Sequence, residues 1–132
     1  MKSLLIKSTK KTLSVNCQDG KISFEGCSLL NHPKVFFKPI ENWLDEYFVQ
    51  KPNKTVFDFN LEYIDSPTTK HLYQILNLSA DKLGRSTIEV NWYYNENDPE
   101  MMELGEIMQS KLRLNFNFID ISRYKNKSVV TE

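Results

Sequence analysis

The stretch that most limits what this chain can fold into is 57–94, where two alternating runs bracket a helical stripe. Phe57, Phe59, Leu61 and Tyr63 alternate with Asp58, Asn60 and Glu62, the period of two expected of a strand with one buried face. Leu72, Ile75, Leu76, Ser79 and Leu83 then share one helical face, and Gly84 can serve as the C′ residue. After that, Ile88, Val90, Trp92 and Tyr94 alternate with Glu89, Asn91 and Tyr93. The order is βαβ, which implies parallel pairing and a right-handed crossover. A sheet covered on both sides reads as near-continuous apolar runs, and these strands do not. Helices are therefore expected mainly on one face, with the opposite face polar.

The flanking segments extend this unit. Asp19-Gly20 is a strong two-residue turn signal and predicts a hairpin of strands at about 12–17 and 21–26. With Gln18 opposite Lys21, Cys17 falls opposite Ile22 and Cys27 opposite Thr12, so the sulfurs lie about 17 Å apart along the ladder. No disulfide spans that distance. Phe36, Phe37, Ile40, Trp43, Leu44, Tyr47 and Phe48 recur at helical spacing, and Pro39 predicts that this helix begins or kinks there, with Phe36 and Phe37 in an entry turn. Asp98 and Pro99 start a further helix as N-cap and N1, with Met101, Leu104, Gly105, Met108 and Leu112 as its buried stripe. A last strand runs from Phe116 to Ile121. The expected architecture is one α/β domain over 1–132, a two-layer fold with a mixed sheet. Its ends, 1–8 and 123–132, are expected to fray.

Composition removes several function classes. The 132 residues hold 17 basic and 17 acidic side chains, so no general attraction to nucleic acid or anionic membrane is expected. The N-terminal apolar run is too short for a signal peptide and no later run approaches a membrane span, which places the chain in the cytoplasm. Gly20, Gly26, Gly84 and Gly105 are scattered, so no phosphate-cradling loop is present. His32 and His71 stand alone, neither cysteine has metal-ligand spacing, and no cofactor is implied. His71 lies five positions after Ser66, an offset that does not favour a Ser-His catalytic pair. The acids Glu96, Asp98, Glu100, Glu103 and Glu106 read as a dipole-matched helix start. A non-enzymatic protein with a specific protein partner fits best.

The junction between the first strand of the βαβ unit and its helix, Tyr63-Ile64-Asp65-Ser66-Pro67-Thr68-Thr69-Lys70, offers one chemical possibility. Ser66 is expected as the N-cap, accepting from the backbone N–H of Thr68 or Thr69. A hydroxyl at that position can also be phosphorylated.

Three segments together resemble the SiaC family of small bacterial regulatory phosphoproteins over roughly 12–121. One is Gly26-Cys27-Ser28 followed by Asn31, Phe36-Phe37, Pro39-Ile40 and Trp43-Leu44; another is Tyr63 to Lys70; the third is Val90-Asn91-Trp92-Tyr93-Tyr94 with Leu104-Gly105-Glu106. Family members resemble STAS-type anti-sigma factor antagonists in having a phosphorylatable hydroxyl at a helix start. The resemblance implies a STAS-like fold and Ser66 as phosphoacceptor, with Thr68 and Thr69 as alternatives. Asp65-Ser66 departs from the Asn-Thr typical of the family and is closer to the Asp-Ser of STAS antagonists. The resemblance also implies a GHKL-type kinase, a PP2C-type phosphatase and a diguanylate cyclase that the unmodified form binds and activates, and hence c-di-GMP signalling. Asp65, Ser66, Lys70 and Tyr93 are the expected partner-binding residues, with Lys70 able to pair a phosphate one turn away. An anti-sigma factor antagonist and a small-ligand-binding domain using the Tyr93 region are the competing readings.

Overall fold

The computed structural model describes residues 1–122. Strands β2 (Ser14–Gln18) and β3 (Lys21–Ser28) form the hairpin, in the expected register of Gln18 opposite Lys21 and Cys17 opposite Ile22. Gly20 sits at φ +83°, a conformation that the turn requires and a side chain disfavours. From β3 the chain continues through α1 (Pro33–Val49), β4 (Thr55–Ile64), α2 (Ser66–Leu83), β5 (Ile88–Tyr94), α3 (Pro99–Leu112) and β6 (Asn115–Asp120). β3, β4, β5 and β6 are parallel neighbours in chain order. Right-handed crossovers that always step the same way along a sheet put their helices on the same face. Burial agrees: Val15, Cys17, Ile22, Phe24, Phe57, Phe59, Val90 and Trp92 on that face are at most 1% exposed.

The opposite face is a polar ladder. Asp58, Asn91 and Asn117 stand in register across β4, β5 and β6. Asn91 donates to Asp58 at 2.8 Å, and Asn117 donates to Asn91 at 3.1 Å and to Glu89 at 2.8 Å. Lys21 pairs with Asp58 at 3.2 Å.

Two expectations are corrected. The first helix begins at Pro33 and not near Pro39, which lies inside it. Pro33 occupies the first turn, where its missing N–H is no loss, and the carbonyl that Pro39 deprives of a donor belongs to Val35, a residue 73% exposed and open to water. The N-terminal segment expected to fray contains a short strand, β1 (Leu4–Ile6), antiparallel to β2. The Trp43 indole N–H donates to the Lys2 carbonyl at 2.8 Å, so α1 holds this edge in place. The tail expected to fray, 123–132, lies outside the described residues.

The Trp92 and Gly105 of the sequence pattern meet in the core. The Trp92 indole N–H donates to the Met101 carbonyl at 3.0 Å, and a Cβ built on Gly105 would lie 2.5 Å from Trp92 Nε1. Only glycine lets α3 sit this close to the indole.

Candidate functional site

Strand β4 delivers the chain to the start of α2 at the carboxyl end of the parallel sheet. Asp65, in extended conformation, is the N-cap, which corrects the expectation that Ser66 caps the helix. One Asp65 carboxylate oxygen accepts from the Thr68 backbone N–H at 3.0 Å and from the Thr68 hydroxyl at 2.6 Å. The other accepts from the Leu30 N–H at 2.9 Å, in the loop between β3 and α1. The Asp65 N–H in turn donates to the Ser28 carbonyl at 3.1 Å. Carboxylates cap as well as hydroxyls do, and here the carboxylate wins because its second oxygen also meets Leu30, which the Ser66 hydroxyl would leave without that partner. Desolvation pushes the Asp65 carboxyl upward, but the bonds from the Thr68 side chain and from the Leu30 and Thr68 backbones outweigh it and hold the pKa below its ordinary value.

With Asp65 as cap, Ser66 becomes the first helical residue and Pro67 follows it in the first turn; both are exposed. The other two candidate hydroxyls are engaged. Thr68 is 0% exposed, and because its proton goes to Asp65, Ser28 donates to it at 2.6 Å. Thr69 is half-buried and donates to the Asp65 carbonyl at 3.0 Å. Pro67 contributes no N–H and the Thr68 N–H is taken, so a group attached to Ser66 meets no open backbone donor at positions 67 and 68.

Lys70 is exposed one turn beyond Ser66 and forms no ion pair among the described residues. Asp65, Ser66 and Lys70 are thus brought together, whereas Tyr93 is not. It alternates with Trp92 on β5, in register with Asn60 and Ile119, on the sheet face away from the helices. His71 stacks on Phe37 with ring centroids 4.7 Å apart, and its Nδ1 lies 2.9 Å from the Pro67 carbonyl. This half-buried ring packs α2 against α1.

Sequence reasoning did not pick out the groove that starts at Ser66. A cleft of about 590 Å³ runs between α2 and α3, with Ser66, Lys70 and Tyr73 on one side and Leu104, Ile107 and Lys111 on the other. The signal was present: Ser66, Thr69, Lys70 and Tyr73, and likewise Leu104, Ile107, Met108 and Lys111, are spaced i, i+3, i+4, i+7. A second depression, about 680 Å³, lies at the carboxyl end of β3 and β4 and is lined by Glu25, Cys27, Asn60 and Glu62 among others. Its Cys27 thiol donates to Glu62 at 3.4 Å, and burial together with that bond and the Glu62 charge raises its pKa, the opposite of what a nucleophilic cysteine needs. Among the described residues, no group of His, Cys, Asp or Glu could hold a metal ion, and no helix is long and apolar enough to cross a membrane.

The model of the SiaC family regulatory phosphoproteins matches residues 6–121 of this chain. The crystal structure of apo-SiaC from Pseudomonas aeruginosa superposes with a TM-score of 0.82 at 20% identity, covering 90% of this chain and 99% of that one. SiaC as it occurs in the crystal structure of the diguanylate cyclase SiaD with its activator SiaC, from the same organism, gives a TM-score of 0.79 at 20% identity, covering 89% of this chain and 98% of that one. Among curated proteins none matches significantly.

Proposed function

Because the chain belongs to the SiaC family of regulatory phosphoproteins, we propose that it is a non-enzymatic partner switch whose unmodified form binds and activates a diguanylate cyclase. Phosphorylation of Ser66 by a GHKL-type kinase releases that partner, and a PP2C-type phosphatase restores it. The observation that carries the choice of residue is exposure: Ser66 is open to solvent at the first position of α2, while Thr68 is 0% exposed and Thr69 is bonded to Asp65. The activator role draws on the related SiaC, which is found in complex with the cyclase SiaD.

The chemistry favours release without unfolding. A phosphoserine brings about −1.5 to −2 charge to a helix N-terminus, which tolerates it by roughly 0.3–1 kcal/mol. A partner covering the same point must bury a hydrated dianion beside the Asp65 carboxylate, and an unpaired buried charge costs on the order of several kcal/mol. Affinity is lost while the domain stays folded. The test is peptide mass spectrometry after incubation with the cognate kinase and ATP, followed by cyclase assays with the modified and unmodified protein. Modification of Ser66 with loss of cyclase stimulation is expected. Phosphate on Thr68 or Thr69, or undiminished stimulation by the Ser66 phosphoform, refutes the proposal; recovery of an anti-sigma kinase with no cyclase points to the transcriptional reading.

A further inference from the structure

The polar row of Asp58, Asn91 and Asn117 continues to the other side of the sheet and ends there on a residue of another kind. In register across the strands stand Leu5, Asn16, Ser23, Asp58, Asn91 and Asn117. All but the first are small and polar, as an uncovered sheet face requires. Leu5, on the edge strand β1, is 67% exposed. Its neighbours Leu4 and Ile6 face the other way, opposite Cys17 and Val15, and pack half-buried against the core. Among the described residues β1 pairs only with β2, so its outer edge meets no strand. A blunted edge carries proline or charge within the strand itself. Here Lys2 and Lys7 only flank it. The bond from the Trp43 indole to the Lys2 carbonyl already holds β1 in place, so a strand added to this edge has little left to order.

We propose that this edge is an interface with a second copy of the chain, the two β1 strands pairing antiparallel about a two-fold axis at Leu5 and joining two sheets into one. The occupant follows from Lys2-Ser3-Leu4-Leu5-Ile6-Lys7-Ser8 read against its own reverse. Centred on Leu5, that residue meets its counterpart, Leu4 meets Ile6, Ser3 meets Lys7 and Lys2 meets Ser8. Every apolar residue faces an apolar one and no lysine faces a lysine. Centring on Leu4 instead sets Lys2 against Ile6, and centring on Ile6 sets Leu5 against Lys7 and Lys2 against Lys10, a like-charge pair. Parallel pairing in register sets each lysine against itself. In the favoured register the two Leu5 side chains lie about 4.5–5.5 Å apart between Cβ atoms and cover one another. Leu4 and Ile6 of both copies carry the helix-side core across the joint, and an axis normal to the sheet leaves the helices of both copies on one face. Because β1 has three residues, the contact is at the small end of interfaces and the association is reversible. The start of α2 follows β4, with β2 and β3 between it and this edge, so the dimer carries two separate Ser66 junctions.

Sedimentation velocity on the full chain, from low to high micromolar concentration, tests this on the wild type, Leu5→Lys and, as a control, Leu78→Lys at an exposed apolar position of α2. Reversible dimerisation of the wild type is expected. Leu5→Lys sets two lysines directly opposite each other and should weaken it by about tenfold or more, with Leu78→Lys within about twofold. A second measurement reads the register itself. Directly opposed residues of an antiparallel pair have Cα atoms about 4.5–5.5 Å apart, within the reach of a disulfide. Leu5→Cys combined with Cys27→Ser should therefore form an intermolecular disulfide on mild oxidation, and Leu78→Cys in the same background should not. A wild type that stays monomeric at every concentration overturns the proposal. So does a dimer that Leu5→Lys leaves unchanged and that the Leu5→Cys chain does not cross-link. A monomer whose binding to the cyclase is abolished by Leu5→Lys makes the occupant of the edge a partner strand and also overturns it. Should Leu5→Lys fail to fold in a thermal melt, the disulfide decides.

Discussion

Replacing Asp65 should destabilise the domain far more than replacing Ser66, although both residues can cap a helix. Asp65→Ala removes an N-cap, at about 1 kcal/mol in a range of roughly 0.5–2. It also leaves the Leu30 N–H without the acceptor it meets at 2.9 Å. That loss is on the order of 1–3 kcal/mol for a buried donor and nearer the low end here, since the site is only partly buried and water can substitute. The Thr68 hydroxyl still accepts from Ser28 but loses the acceptor of its own proton, which moves the total toward the upper end. The sum is about 2–3 kcal/mol, which at roughly 2 cal/mol/K of unfolding entropy per residue lowers Tm by about 8–11 °C. Ser66→Ala, exposed and outside the cap, should stay within about 0.5 kcal/mol. Asp65→Asn should fall between, because its amide turns one oxygen toward Thr68 and then presents N–H to the Leu30 N–H. The pH dependence has a definite sign. The folded carboxyl lies below its ordinary value of 3.8, so the stabilisation is complete above 3.8 and is lost as pH falls through the depressed value. Urea unfolding at pH 7 and under acid checks all of this. A cost above about 1 kcal/mol for Ser66→Ala, with Asp65→Ala nearly neutral, would refute the cap assignment.

Two further predictions concern the core. Gly105→Ala gains about 1 kcal/mol of helix propensity but drives a methyl to 2.5 Å from Trp92 Nε1; overpacking should dominate, with a net loss on the order of 1–2 kcal/mol by denaturant titration, and a stabilised variant would show that α3 shifts freely. Cys17 is 0% exposed and burial pushes its thiol up to about 12, so a thiol reagent at pH 8 should spare it in the native protein and modify it once unfolded; rapid native labelling would contradict the packing.

The fold was legible because its periodicities are strong: alternation in β4 and β5 assigned both sheet faces, and the Asp19-Gly20 turn fixed the register of β2 and β3. β1 was missed since three residues carry too little pattern, and its position depends on Trp43, 41 residues away from the carbonyl it holds. The choice between Asp65 and Ser66 as cap was not readable locally. Leu30 decides it from 35 positions away. Tyr93 was joined to the site through the family resemblance, yet alternation in β5 turns it to the face away from the helices. The groove was readable as two spaced rows, but only the packing of α2 beside α3 shows that they meet.

The one-residue displacement of the cap changes how a phosphate at this junction can act. If Ser66 were the cap, its oxygen would be held by a helix N–H, and esterification would strain or break that bond, coupling modification to the integrity of α2. With Asp65 in that role, the Ser66 oxygen is committed to nothing in the helix, and its modification leaves the bonds to Thr68 and Leu30 intact. Pro67 then matters by what it lacks: a second residue with an N–H would offer the phosphate a backbone donor and draw it toward the helix end. Without that donor, a phosphate on Ser66 would stay hydrated at the mouth of the α2–α3 cleft, within one helical turn of Lys70. On the proposed switch the helix is stabilised by one side chain and regulated through the next, so that docking can be abolished at little cost to folding.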